Sequence, residues 1–244
     1  MTEFSLKQNW WQFLIIAIVC YLMGSFNAAR IIARSKHKDI TKMGSGNPGT
    51  MNMSREFGLK VGACTFLCDA IKGGVPALIG HLIYRDFVFS GTAFAVSDFI
   101  RYFCGVFVIV GHIFPIWQKF KGGKGIASTL GLFWFSLSCE NLWWILVGFG
   151  VAAIIIGFIY FTEWGSLASL LGVTGCSIAQ LIVFLLTYGY MHFNAYMVGA
   201  FICLFVLNLL TWGAHRKNIV RLLAGEEHRT SIKEKLKKKK ERTV

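Results

Sequence analysis

Charged side chains are scarce in this chain. Asp, Glu, Lys and Arg make up 15% of its 244 residues, whereas 55% are hydrophobic and 15% aromatic. So little charge excludes an ordinary soluble domain, whose helices need a polar face. Acidic residues are fewer still, 12 against 25 Lys and Arg, for a formal net charge of +13. Cysteine is present, with seven residues, but mostly inside apolar runs. Cys64 and Cys68 lie one helical turn apart with no His or further Cys beside them. That reads as small packing residues rather than a metal or redox pair. One Lys and one Glu precede the first long apolar run, which is not the pattern of a secretory signal peptide. That run is expected to be a retained first span.

What is present is a series of apolar stretches, several reaching the ~20 residues that carry a helix across a bilayer. They run over 10–32, 61–84, 98–114, 125–137, 143–161, 166–188 and 193–212. The expected fold is therefore an all-α polytopic integral membrane protein with about seven transmembrane helices. The fourth stretch is short, and "DAIKGG" interrupts the second. Basic residues gather in alternate loops. Arg34, Lys36, Lys38, Lys42, Arg55 and Lys60 follow the first stretch, Lys119, Lys121 and Lys124 the third, and Arg216, Lys217 and Arg221 the seventh. By the positive-inside rule the N-terminus is outside and the C-terminus cytoplasmic, which requires an odd number of crossings. One membrane domain over 1–229 is expected, followed by a polybasic tail over 230–244. Nucleic acid is one conceivable partner for such a tail; in a polytopic chain anionic lipid headgroups are the simpler one.

The polar, glycine-rich motifs all fall on the predicted inner face, as one composite site would require. "GSGNPGTMNMSREFG", Gly44–Gly58, alternates Gly with small polar residues. Its backbone amides can converge on an anion, with Ser45, Asn47 and Asn52 as side-chain donors and Arg55 as a cationic fork. An ordinary Gly/Asn turn is the alternative. "FKGGKGIAST", Phe120–Thr129, fails as a Walker A loop. Gln118 stands where its first Gly belongs, Gly125 follows Lys124 in place of Ser or Thr, and no strand precedes it. Amides at a helix start with Lys121 and Lys124 still make a phosphate site, or else a basic membrane anchor. Asp69 and Lys72 can pair at i,i+3, either at a functional site or as a structural ion pair. His215, Asn218 and Arg221 recur every third residue on a helix leaving the membrane, with Glu227 beyond Gly225. Ser166 and Ser169 form another i,i+3 pair, which also suits helix packing. "HLIYRD", His81–Asp86, has the H-x4-D spacing of other glycerolipid acyltransferases but lies at the opposite, outer end.

Together "YLMGS", the Gly44–Gly58 loop, "DAIKGGVPAL", "GHIFPIWQKFKGGKG", "SLAS" and "HRKNIVRLLAGEEHR" resemble the bacterial acyl-phosphate:glycerol-3-phosphate acyltransferases, the PlsY family, in order and spacing from about Tyr21 to Arg229. The resemblance implies seven helices, a cytosolic site in the bacterial inner membrane, and acyl transfer from acyl phosphate to the sn-1 hydroxyl of glycerol 3-phosphate. The products would be lysophosphatidic acid and phosphate. It implies no cofactor and no metal, and a monomer is expected. By motif position, Ser45, Gly46, Asn47 and Asn52 would hold the acyl phosphate's phosphate with Lys124. Arg55, Lys124, Ser169, His215 and Asn218 would hold glycerol 3-phosphate. Asp69, Lys72, His112, Lys121, Ser166, Arg221 and Glu227 would support them. The chain departs from the family pattern at Met51, at Glu163-Trp164 and at Ala214. No G-x-S-x-G elbow appears and no Cys lies in the inner loops, so direct transfer without an acyl-enzyme is expected. The proton acceptor is either His215 or a substrate phosphate. A transporter or binding protein for phosphorylated compounds, and a scaffold recruiting partners through its tail, are the other classes open.

Overall fold

Long apolar runs without internal polar breaks fold as helices, because only a helix satisfies its own backbone in an apolar medium. The computed structural model describes residues 1–189, 193–227 and 229. Among these are ten α-helices: α1 Leu6–Ser25, α2 Ala28–Ser35, α3 Thr50–Phe57, α4 Leu59–Tyr84, α5 Val96–Ile113, α6 Ile126–Glu140, α7 Trp144–Thr162, α8 Gly165–Tyr188, α9 Ala195–Ala214 and α10 Arg216–Leu223. The polybasic segment 230–244 lies outside the described residues.

Six segments are long and apolar enough to cross a membrane: α1 with α2, α4, α5 with the turn that follows it, α7, α8 and α9. The fourth sequence stretch became α6, whose 15 residues extend about 22 Å, short of a hydrocarbon layer of about 30 Å. Two expectations need correcting. The first apolar stretch is not one helix. Phe26 and Asn27 take extended backbone angles, and Asn27 caps α2 through its side chain, which accepts from the Arg30 amide. Conversely, "DAIKGG" does not interrupt the second stretch; α4 runs unbroken through it and through Pro76.

The reason α4 stays whole is its partner. A Cβ on Gly73 would stand 1.9 Å from the Ser128 carbonyl oxygen, and one on Gly131 would stand 2.1 Å from that of Ala70. The two glycines let α4 and α6 meet backbone to backbone, which no larger residue permits. The charged pair on α4 is enclosed nearby. Lys72 Nζ is 2.9 Å from Asp69 Oδ1 and donates to the Phe26 carbonyl at 2.6 Å.

The end of the bundle away from the glycine-rich loops is closed by aromatic rings and ion pairs. A short parallel pair, β1 Thr2–Phe4 and β2 Phe87–Phe89, brings Phe4 against Phe13, Tyr84 and Phe89. Phe94 meets Phe184 and Tyr188. Beneath them Arg101, fully buried, pairs with Asp98 and Glu140 and donates to the Ser136 carbonyl, while the Tyr188 hydroxyl donates to Asp98. Sequence reading found neither the strand pair nor this network. The decoy motif His81–Asp86 sits at this closed end, where Arg85 and Asp86 form an exposed pair at 3.5 Å.

Candidate active site

The opposite end gathers the predicted residues from four separate segments. Lys124 immediately precedes Gly125, the N-cap of α6. Its Nζ donates to Asn218 Oδ1 at 2.5 Å. Asn218, buried on α10, donates in turn to Ser166 Oγ at 2.8 Å and Glu227 Oε1 at 2.6 Å. Ser166, on the first turn of α8, donates to the same Glu227 oxygen, and Arg221 Nε holds the other at 2.9 Å. Glu227 thus ties α8 and α10 to one point. Burial raises its pKa, but the three donors outweigh this and hold the carboxyl below its ordinary value. It is the anchor of the cluster, with both oxygens committed to protein partners.

Lys124 pairs with the neutral Asn218 and, among the described residues, with no carboxylate at ion-pair distance. Burial lowers its pKa to about 8; Glu227 opposes the shift, while Arg221 and Arg55 reinforce it. The charge of Arg55, on α3, is felt at Lys124. His215 is buried where α9 passes into α10, and its Nδ1 lies 2.8 Å from the Thr211 carbonyl oxygen. A carbonyl only accepts, so Nδ1 carries the proton and Nε2 is the acceptor. Burial and the Lys124 charge push His215 down to about 4, leaving a neutral ring at pH 7. Ser169, one turn beyond Ser166, donates to Gly165 at 2.8 Å.

The Gly44–Gly58 loop is closed on itself more than its composition implies. Ser45 N donates to Asn52 Oδ1, Gly46 N to Met43 O, Gly49 N to Asn47 O, and Asn47 N to Ser45 Oγ at 3.5 Å. Asn52 is buried and donates to Met43 O at 2.9 Å. Its role is to shape the loop. The anion-seeking amides are then those of the first turn of α3, Thr50 to Asn52, which a helix leaves without intrahelical partners. Met51 sits on that turn, so its side chain replaces nothing in an amide-based cradle.

Asp69, Lys72 and His112 form a group of their own, with no hydrogen bond or ion pair to Lys124, Asn218 or Glu227 among the described residues. His112 Nδ1 is 3.8 Å from Asp69 Oδ1, and all three are buried among protein partners. His112 nonetheless shapes the site. Gly122 and Gly123 donate to the carbonyls of Ile113 and His112, stitching the loop onto the end of α5, and a Cβ on Gly123 would fall 2.3 Å from His112 Nε2. A Gly123→Ala protein is therefore expected to keep its fold but displace Lys124. Displacement by about 1 Å costs on the order of 100-fold in turnover, to be read as kcat with the melting temperature as control. The Lys121 side chain is exposed, while its carbonyl accepts from Arg30 Nη2 at 2.8 Å. Glu163, a departure from the family pattern, faces Arg229 at 3.9 Å.

Sequence reasoning missed Asn27 and Arg30. The available signal was an Asn, a favoured helix N-cap, set inside the first apolar stretch.

The family model for glycerol-3-phosphate acyltransferase matches residues 14–225. The chain belongs to the glycerol-3-phosphate acyltransferase family. Among curated relatives, the glycerol-3-phosphate acyltransferase of Aquifex aeolicus is 33% identical over 216 residues, covering 88% of this chain and 98% of that protein. That of Mycoplasma pneumoniae is 34% identical over 231 residues, covering 88% and 92%. Among solved structures, PlsY (YgiH), an integral membrane glycerol 3-phosphate acyltransferase, in its glycerol 3-phosphate form, superposes with a TM-score of 0.73 at 30% identity, over 92% of this chain and 98% of that one. Its lysophosphatidic acid form gives 0.69 at 29%, over 89% and 95%. With six long apolar helices, this family member is a multi-pass membrane protein.

Proposed function

We propose that this acyltransferase moves an acyl chain from acyl phosphate to the sn-1 hydroxyl of glycerol 3-phosphate, giving 1-acyl-glycerol 3-phosphate and inorganic phosphate. The observation that carries the reading is the half-compensated Lys124, held between Asn218 and the charges of Arg55 and Arg221. Both reactants bear phosphate, and one cation placed between two anion cradles serves both. Relatives and solved neighbours named for the same acceptor support it.

In this reading the sn-1 hydroxyl hands its proton to an oxygen of the departing phosphate as its own oxygen attacks the acyl carbon, while His215 Nε2 accepts from the acceptor's other hydroxyl and holds it in place. The new C–O bond forms as the acyl–phosphate bond breaks, and Lys124 with the α3 amides stabilises the charge on the departing phosphate. A ring held near 4 is a poor base, so the hydroxyl proton leaves with the phosphate, whose second ionisation lies close to neutral pH. A His215→Gln variant is expected to raise KM and leave kcat within a few-fold; loss of kcat together with an acid limb would make the ring the base.

The same reading takes α6 as a short seventh crossing, with the basic loops and the site on the cytosolic side of the bacterial inner membrane. It takes the chain as one membrane domain acting as a monomer. The transporter alternative is disfavoured by the aromatic and ionic closure of the far end. The test is purified protein with labelled glycerol 3-phosphate and either acyl phosphate or acyl-CoA. Product from acyl phosphate alone is expected; product only from acyl-CoA overturns the donor, and none from either overturns the activity.

A further inference from the structure

The break between α1 and α2 touches both substrate loops. Asn27, 3% exposed, caps α2 with its carbonyl oxygen and with its amide donates to Pro48 O, in the Gly44–Gly58 loop, at 3.2 Å. One turn on, Arg30 Nη2 donates to Lys121 O, three residues before Lys124. The break is itself fixed from below, because the carbonyl of Phe26, next to Asn27, accepts from buried Lys72. The segment Phe26–Arg30 thus grips one loop at Asn27 and the other at Arg30, and is bolted to α4 at Phe26, just ahead of both.

We propose that Asn27 and Arg30 are positioning residues, a yoke that sets the Gly44–Gly58 loop and the Lys121–Lys124 loop at a fixed separation. The proposal rests on the reading above, in which these loops hold the two reactants. Its physical basis is that transfer between two bound molecules depends on their mutual alignment far more steeply than the binding of either one does. Weakening the yoke lowers turnover and leaves both affinities nearly intact. Arg30 carries more of the effect, because its charged donor is the link to the loop that bears Lys124.

The experiment uses the purified full chain with a long-chain acyl phosphate and glycerol 3-phosphate. Arg30→Met is expected to lower kcat between about 10-fold and 100-fold, with each KM within about threefold. Arg30→Lys, which can still reach the Lys121 carbonyl, is expected to recover most of the loss. Asn27→Asp keeps the helix cap, removes the donor to Pro48, and acts on the other arm should Arg30→Met fail to fold. A second readout needs no activity. Spin labels on unnatural amino acids at the exposed positions 45 and 121 are expected to give a single narrow distance in the parent protein, broadened in Arg30→Met and Asn27→Asp. Unchanged distances together with kcat within twofold of the parent overturn the yoke. So does a tenfold rise in KM for glycerol 3-phosphate at unchanged kcat, which would put Arg30 on the substrate. A parent protein inactive with either acyl donor defeats the functional reading instead, and the distance measurement still decides the yoke.

Discussion

A Lys124→Met enzyme is expected to lose about 100-fold to 1000-fold in kcat/KM, the usual cost of removing one preorganised donor from a developing oxyanion. Both KM values rise as well, because the same ammonium faces both phosphates. The pH profile separates this from a folding defect. In the free protein burial lowers Lys124 to about 8. The folded-state pKa is depressed, so below about 8 the chain carries a charge that folding disfavours and an anion relieves. Affinity for a phosphate is then full below about 8 and falls as pH rises through it. The wild type is expected to show an alkaline limb of kcat/KM near 8, far below an ordinary lysine. Lys124→Arg, which cannot lose its proton in this range, should remove that limb even if it turns over slowly. A limb that persists in the arginine variant would assign it to another group.

The second large effect lies at the other end of the molecule. Arg101→Leu leaves the buried Asp98 with no cation, and Glu140 at the network's open edge without its partner, and is expected to cost about 3–5 kcal/mol of stability. Replacing all three by apolar residues of similar volume should recover most of that, since the desolvation of the ions disappears along with their attraction. Thermal unfolding in detergent distinguishes the outcomes. A single variant as stable as the parent would mean the network contributes nothing. The acyl-transfer site is far enough away that kcat of whatever protein folds should be unchanged.

The two ends differ in how plainly the sequence announces them. Helices such as α8 and α9 are visible as uninterrupted apolar length, and basic loops mark one end of every stretch except those of α7 and α8. Lys124, Asn218, Arg221 and Glu227 stand out because polar residues beside an apolar run need a reason. The partnerships were not legible. Asn218 meets Lys124 across 94 positions and Ser166 across 52, and no local period encodes that. Asp98 and Arg101 share the i,i+3 spacing that drew attention to Asp69 and Lys72. Their true environment depends on Glu140, 39 residues from Arg101. The α1–α2 break was hidden because Ala28, Ala29, Ile31 and Ile32 continue an apolar pattern across it. Only the extended angles at Phe26 and Asn27 reveal that the chain turns there. The Gly44–Gly58 loop shows the converse. Its composition promised open amides, but those of Ser45, Gly46, Asn47 and Gly49 bond back onto the loop and its entry, Ser45 to the buried Asn52.

The glycine contact between α4 and α6 divides the molecule mechanically. Where Gly73 and Gly131 lie, nothing but main chain separates the two helices, so no side chain can swing aside to loosen them. By contrast, α7 meets its neighbours through Trp134, Phe149 and Ile155 and leaves most of its surface outside the protein. Amide exchange should be slow through the α4–α6 seam and faster along α7. A bulky product made against the stiff wall would then depart on the compliant side, sideways into the surrounding lipid, without the charged floor having to shift.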